Sequence, residues 1–69
     1  MEKANMTKKD KELLKFYNLG WHNECFGSSS VVPEEYMNAY LLGSSDFILE
    51  LESVDNQDGS EILKRIKEL

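Results

Sequence analysis

Residues 8–26 read Lys8-Lys9-Asp10-Lys11-Glu12-Leu13-Leu14-Lys15-Phe16-Tyr17-Asn18-Leu19-Gly20-Trp21-His22-Asn23-Glu24-Cys25-Phe26, and their spacing decides the fold class. Leu13, Leu14, Tyr17, Trp21 and Cys25 follow one another at helical intervals, so they share one face of a helix. Phe16 and Leu19 widen that stripe. Thr7, with an acid three positions on at Asp10, is a loose capping box for the start. Gly27 is placed to stop the helix as a C′ residue. Gly20 lies inside it, where glycine costs about 1 kcal/mol against alanine. Such a residue either admits a neighbouring backbone or marks a kink.

Ser28-Ser29-Ser30 reads as a loop. Pro33 with Glu34 and Glu35 beside it reads as the N-terminus of a second helix, since proline suits the first helical position and acids suit the dipole. Val32 is a poor cap, which leaves Ser30 to cap from further back. This helix is expected to show Tyr36, Met37, Tyr40 and Leu41 on one face and to stop at Gly43. Residues 44–54 are ambiguous between helix and strand. Ser44-Ser45-Asp46 suits a cap for a helix carrying Phe47, Ile48, Leu51 and Val54. Phe47, Leu49 and Leu51 also alternate with Glu50 and Glu52, as in a strand. The helical flanks favour helix. Asp55-Asn56-Gln57-Asp58-Gly59 is a turn. Ser60 then caps a short helix with Ile62, Leu63, Ile66 and Leu69 inward and Lys64, Arg65 and Lys67 outward. Too short to be stable alone, it must dock on the rest or on a second copy.

The expected fold is all-α, a small bundle of three to four short helices in one domain over residues 1–69, with residues 1–6 frayed. Its expected core is Leu13, Leu14, Tyr17, Trp21, Tyr40, Leu41, Phe47, Ile48, Leu51, Ile62, Leu63 and Ile66. A chain of 69 residues leaves little room for a deep substrate cleft. A core of this size supplies only about 3–5 kcal/mol, so a homodimer through the C-terminal helix is expected.

The net charge of −5 is unevenly spread. Residues 33–60 hold seven acids, Glu34, Glu35, Asp46, Glu50, Glu52, Asp55 and Asp58, and neither lysine nor arginine. That segment would repel nucleic acid and anionic membrane and attract a basic partner. Lys3, Lys8, Lys9, Lys11 and Lys15 are interrupted by Asp10 and Glu12, and read as a solvated helix face. The single cysteine excludes an internal disulfide framework and points to a reduced, cytoplasmic setting. No apolar run exceeds four residues, Ala39-Tyr40-Leu41-Leu42 and Phe47-Ile48-Leu49 among them, so neither a signal peptide nor a membrane span is expected.

Candidate chemistry is thin. His22 and Cys25 share a helical turn, but zinc needs about four ligands and no other cysteine or histidine completes the set. A partly buried Cys25 and a rim His22 are expected instead. From Asp55, glycine falls one position early for a calcium loop. Glu50 and Glu52 diverge on a strand and on a helix alike. There is no phosphate loop and no nucleophile elbow. No enzyme activity, cofactor or metal is expected. The seven aromatics should mostly be core, with Trp21 and Tyr36 the expected exceptions, placed to anchor an interface.

Tyr17-Asn18-Leu19-Gly20-Trp21, then Gly27, Pro33 and Tyr40-Leu41-Leu42-Gly43, resemble the ribosome modulation factor family and its small phage-borne relatives over residues 17–43. The resemblance implies two helices packed through a glycine contact, and an association with the ribosome. That family is strongly basic where this chain is acidic, so no contact residue is carried over. The primary expectation is a small acidic, non-enzymatic regulator or inhibitor of the phage or mobile-element kind. It would meet a basic protein surface through Glu34, Glu35, Tyr36, Asp46, Glu50, Glu52, Asp55 and Trp21. Direct nucleic-acid binding is not expected. The alternatives are a ribosome- or RNA-associated factor working through the lysines of the first helix, and a structural helical homo-oligomer.

Overall fold

The computed structural model describes residues 7–49 and 58–69. Within them the protein is all-α: α1 (Lys8–Phe26), a 3-10 turn (Glu34–Tyr36), α2 (Met37–Ile48) and α3 (Gly59–Lys67). Among the described residues there is no strand, and none of their helices is long and apolar enough to cross a membrane.

The start of α1 is a reciprocal capping box. The Asp10 amide donates to Thr7 Oγ1 at 3.0 Å, and the Thr7 amide donates to Asp10 Oδ2 at 3.3 Å. Two of the amides that a helix start leaves without partners are thereby satisfied. Gly27 ends the helix with a φ of 71°, a left-handed conformation that glycine adopts without penalty.

α1 and α2 cross at two glycines. A Cβ on Gly20 would lie 2.9 Å from the carbonyl carbon of Tyr40, and closer still to its oxygen. A Cβ on Gly43 would lie 2.8 Å from the carbonyl carbon of Tyr17, again closer to the oxygen. The contact is reciprocal: each glycine receives the carbonyl of the tyrosine three residues before the other. Gly20 is therefore a point of close approach. Gly43 is no stop, because α2 runs through it to Ile48. Ser44, Ser45 and Asp46 continue α2 and do not cap a third helix. The remainder of the ambiguous segment, including Leu51 and Val54, lies outside the described residues.

The same contact sets the rotation of α2. Its buried positions are Ala39, Gly43 and Asp46, while Leu41 and Ile48 face outward. The expected inward face of Met37 and Leu41 is corrected accordingly. Two helices this close need small residues between them, and the bulky apolar ones turn away. The core is Leu13, Tyr17, Ala39, Ile62, Leu63 and Ile66, with Leu14, Phe16, Tyr36 and Leu42 packed against it. Trp21 and Phe47 meet edge to face at 5.1 Å.

α3 is capped by Asp58, whose Oδ1 accepts the Ser60 amide at 2.9 Å, rather than by Ser60. Its apolar face packs within the chain, with Ile62, Leu63 and Ile66 all buried. Leu69, expected inward, is exposed. Ser30 also departs from expectation. Its Oγ accepts from Asn23 Nδ2 at 2.9 Å, and Pro33 precedes the 3-10 turn with no side-chain cap.

Lys67 Nζ lies 3.0 Å from Asp10 Oδ1, joining the end of α3 to the start of α1. The bond to Lys67, followed by the Thr7 amide, holds the Asp10 carboxyl below its ordinary value of 3.8. A lowered folded-state value means that the contribution is complete above the ordinary value and is lost as pH falls through the lowered one. Asp10→Asn should therefore reduce the loss of urea resistance as pH falls below the ordinary carboxylate value of 3.8. Identical acid profiles for the variant and the parent would remove Asp10 from the acid transition.

Candidate functional site

The acids singled out in the sequence divide into different environments. Asp46 is corrected from a surface contact to an internal one, being fully buried. Arg65 reaches it with both guanidinium nitrogens, Nη1 to Oδ2 at 3.0 Å and Nη2 to Oδ1 at 2.8 Å. The Tyr17 hydroxyl donates to the same Oδ2. A two-pronged arginine contact satisfies a buried carboxylate better than a point charge would. This triad joins one residue from each helix. The bond to Asp46 raises the Arg65 pKa above its already high value. Arg65 thus turns inward, against the expectation that it would face solvent.

Glu34 and Glu35 are exposed in the 3-10 turn ahead of α2, and neither pairs with a cation among the described residues. Tyr36 is half-buried and stacked on Phe16 at 4.8 Å. Desolvation raises its phenol pKa, and the charges of Glu35 and Glu12 add to the shift. Trp21 is half-buried between α1 and α2. Glu50, Glu52 and Asp55 lie outside the described residues.

Several features emerge only in three dimensions. α2 exposes no charged side chain, because its one charged residue, Asp46, is buried. Leu41 is 54% exposed and Ile48 64%, with Met37 on the same stripe. An open apolar groove of about 330 Å³ runs beside that stripe, lined by Asn38, Leu41, Leu42, Ser45 and Leu69. Glu24 of α1 accepts a hydrogen bond from Ser44 Oγ at 2.6 Å, which places a carboxylate against α2. The most exposed aromatic is Phe26, at 74%, rather than Trp21 or Tyr36. Its ring stacks on His22 at 6.1 Å. Cys25 is exposed rather than partly buried.

Lys8, Lys9, Lys11 and Lys15 are all exposed on α1. Among the described residues no three histidine, cysteine or acidic side chains are grouped so as to hold a metal. The fold and its surfaces define a small all-α protein. No known protein family, curated protein or solved structure matches the chain.

Proposed function

We propose that this protein is a small non-enzymatic regulator or inhibitor that acts by binding another protein, with its acidic side toward a basic surface. One observation carries the reading: α2 exposes an uncharged apolar stripe directly after Glu34 and Glu35, two exposed acids that pair with no cation among the described residues. Apolar contact supplies affinity at such a surface, and unpaired like charges steer a partner of opposite sign. The withdrawal of Asp46 into the triad lowers the free charge of residues 33–60 without reversing its sign.

The test is affinity capture from the native cell extract at low and at high salt, with the partner identified and the interaction repeated with purified components. Added salt should weaken binding steeply, because exposed charges are screened over about 10 Å at 0.1 M. Binding to the purified partner that ignores salt would remove the electrostatic part of the reading.

A second reading rests on Lys8, Lys9, Lys11 and Lys15, which all stand exposed on α1, and on the resemblance of residues 17–43 to ribosome modulation factors. It takes the protein as a ribosome- or RNA-associated factor. Changing Lys8, Lys9 and Lys11 to alanine should then weaken RNA binding at low salt. The absence of any RNA shift with the parent chain would dismiss this reading.

A further inference from the structure

We propose that the outer face of α2 seats a helix of the partner protein, and that this helix presents an apolar ridge edged with lysines or arginines. The inference rests on the protein-binding reading above and gives it a place and a chemistry. A row of large apolar side chains left exposed along one helix face marks a surface that a partner covers. The inner side of α2 is covered by α1, and α3 packs with them into the same core. The outer side carries Met37, Leu41 and Ile48 at helical spacing, with no charge among them.

The dimensions suit a helix. α2 has twelve residues, so its stripe runs for about 18 Å at about 1.5 Å per residue. That is three turns of a helix laid along it. The groove between α2 and Leu69 gives the incoming apolar side chains somewhere to insert. Recognition of this kind reads anchors at i, i+4 and i+7.

Charge selects the occupant. Glu34 and Glu35 stand at the head of the stripe, Glu24 is held against its flank by Ser44, and Glu68 directly precedes Leu69. α2 offers no lysine or arginine, and Lys67 is drawn to α1 by Asp10. A second copy would set these same acids against one another, which like-charge repulsion disfavours. A helix with basic edges meets each of them with an opposite charge.

The probe is a synthetic eighteen-residue helical peptide with leucines at i, i+4, i+7 and i+11 and lysines along both edges. One control replaces the lysines with glutamates, and another replaces the leucines with serines. Titrated into the isotope-labelled full chain, the probe should shift the amides of Met37, Leu41, Ser45, Ile48 and Leu69. Each control should bind at least tenfold more weakly. The double change Leu41→Ser and Ile48→Ser should also cost at least tenfold, with the circular dichroism spectrum retained and the Tm lowered only by the few degrees that two serines in a helix cost, because both side chains are largely exposed.

Equal binding of the glutamate-edged peptide would overturn the proposal. So would shifts centred on α1, or concentration-dependent self-association that moves the same α2 amides without peptide. If the basic peptide binds the Leu41→Ser, Ile48→Ser variant as tightly as it binds the parent, the seat on α2 is lost while the acidic-surface reading stands. If no basic peptide binds, the seat is lost, and the acidic-surface reading then falls or stands on the salt dependence of the purified native partner.

Discussion

Gly43→Ala should destabilise the protein by about 3 kcal/mol or more, at the upper end of the range for overpacking a core. Its direction separates two effects of opposite sign. Helix propensity alone favours alanine by about 1 kcal/mol at an interior helical position. Packing opposes it, because the new methyl would lie 2.8 Å from the Tyr17 carbonyl carbon and 3.0 Å from the Trp21 amide nitrogen. Those are backbone atoms and cannot rotate aside as a side chain would. The two helices would have to separate, and the core around Tyr17 and Ala39 would loosen with them. For a domain of this size the loss corresponds to a fall in Tm of at least about 12 °C. Gly20→Ala meets the Tyr40 backbone in the same way and should behave alike. The double variant should cost less than the sum of the two, since the first methyl already separates the pair. Gly27→Ala is the control: nothing lies within 4 Å, so only the left-handed strain at φ 71° remains, about 1 kcal/mol. Thermal melts of the three single variants decide the matter. A Gly43→Ala protein that melts at or above the parent would mean that the helices do not approach this closely.

The limits of α1 were legible because local chemistry sets them: Thr7 and Asp10 cap each other, and Gly27 supplies the left-handed turn. The phase of α3 was legible because Ile62, Leu63 and Ile66 are its only bulky apolar residues before Leu69. α2 misleads for a physical reason. Met37, Leu41 and Ile48 are as apolar as any core residue, and periodicity weighs bulk, whereas a close helix crossing requires Ala39 and Gly43. One signal was available. Tyr17-Asn18-Leu19-Gly20 and Tyr40-Leu41-Leu42-Gly43 share tyrosine, leucine and glycine in register, and these two segments meet at the crossing. Asp46 offered no such signal. Its partners, Tyr17 and Arg65, lie 29 and 19 residues away in the chain, so a serine–serine–aspartate run resembled a helix cap. The acidic character of residues 33–60 was legible as composition. Which acids are free depends on tertiary partners, and for Asp46 the partner is an arginine beyond the segment.

Arg65→Met should be the most damaging single change outside the glycine crossing. The Asp46 side chain is 1% exposed, and without Arg65 its charge would keep, among the described residues, the Tyr17 hydroxyl as its one side-chain partner. Breaking a buried pair from one side costs about 3–5 kcal/mol, because the remaining charge stays desolvated and uncompensated. Asp46→Asn should cost less. It leaves an acceptor for Tyr17, and Arg65, whose side chain is 36% exposed, can still reach water. The order therefore runs against a simple count of hydrogen bonds, in which Asp46 loses more than Arg65. Combining Arg65→Met with Asp46→Asn should recover much of the loss, since no buried charge remains. Urea unfolding of the three variants tests this order. A cost for Arg65→Met below about 1 kcal/mol, the level of a surface ion pair, would show that water reaches Asp46. The triad also bears on the proposed seat. Arg65 ties to α2 the helix that leads into Leu69, one wall of the groove. Arg65→Met should accordingly speed amide exchange along α3 before α1 and α2 unfold, and weaken the basic helical peptide even where the chain remains folded.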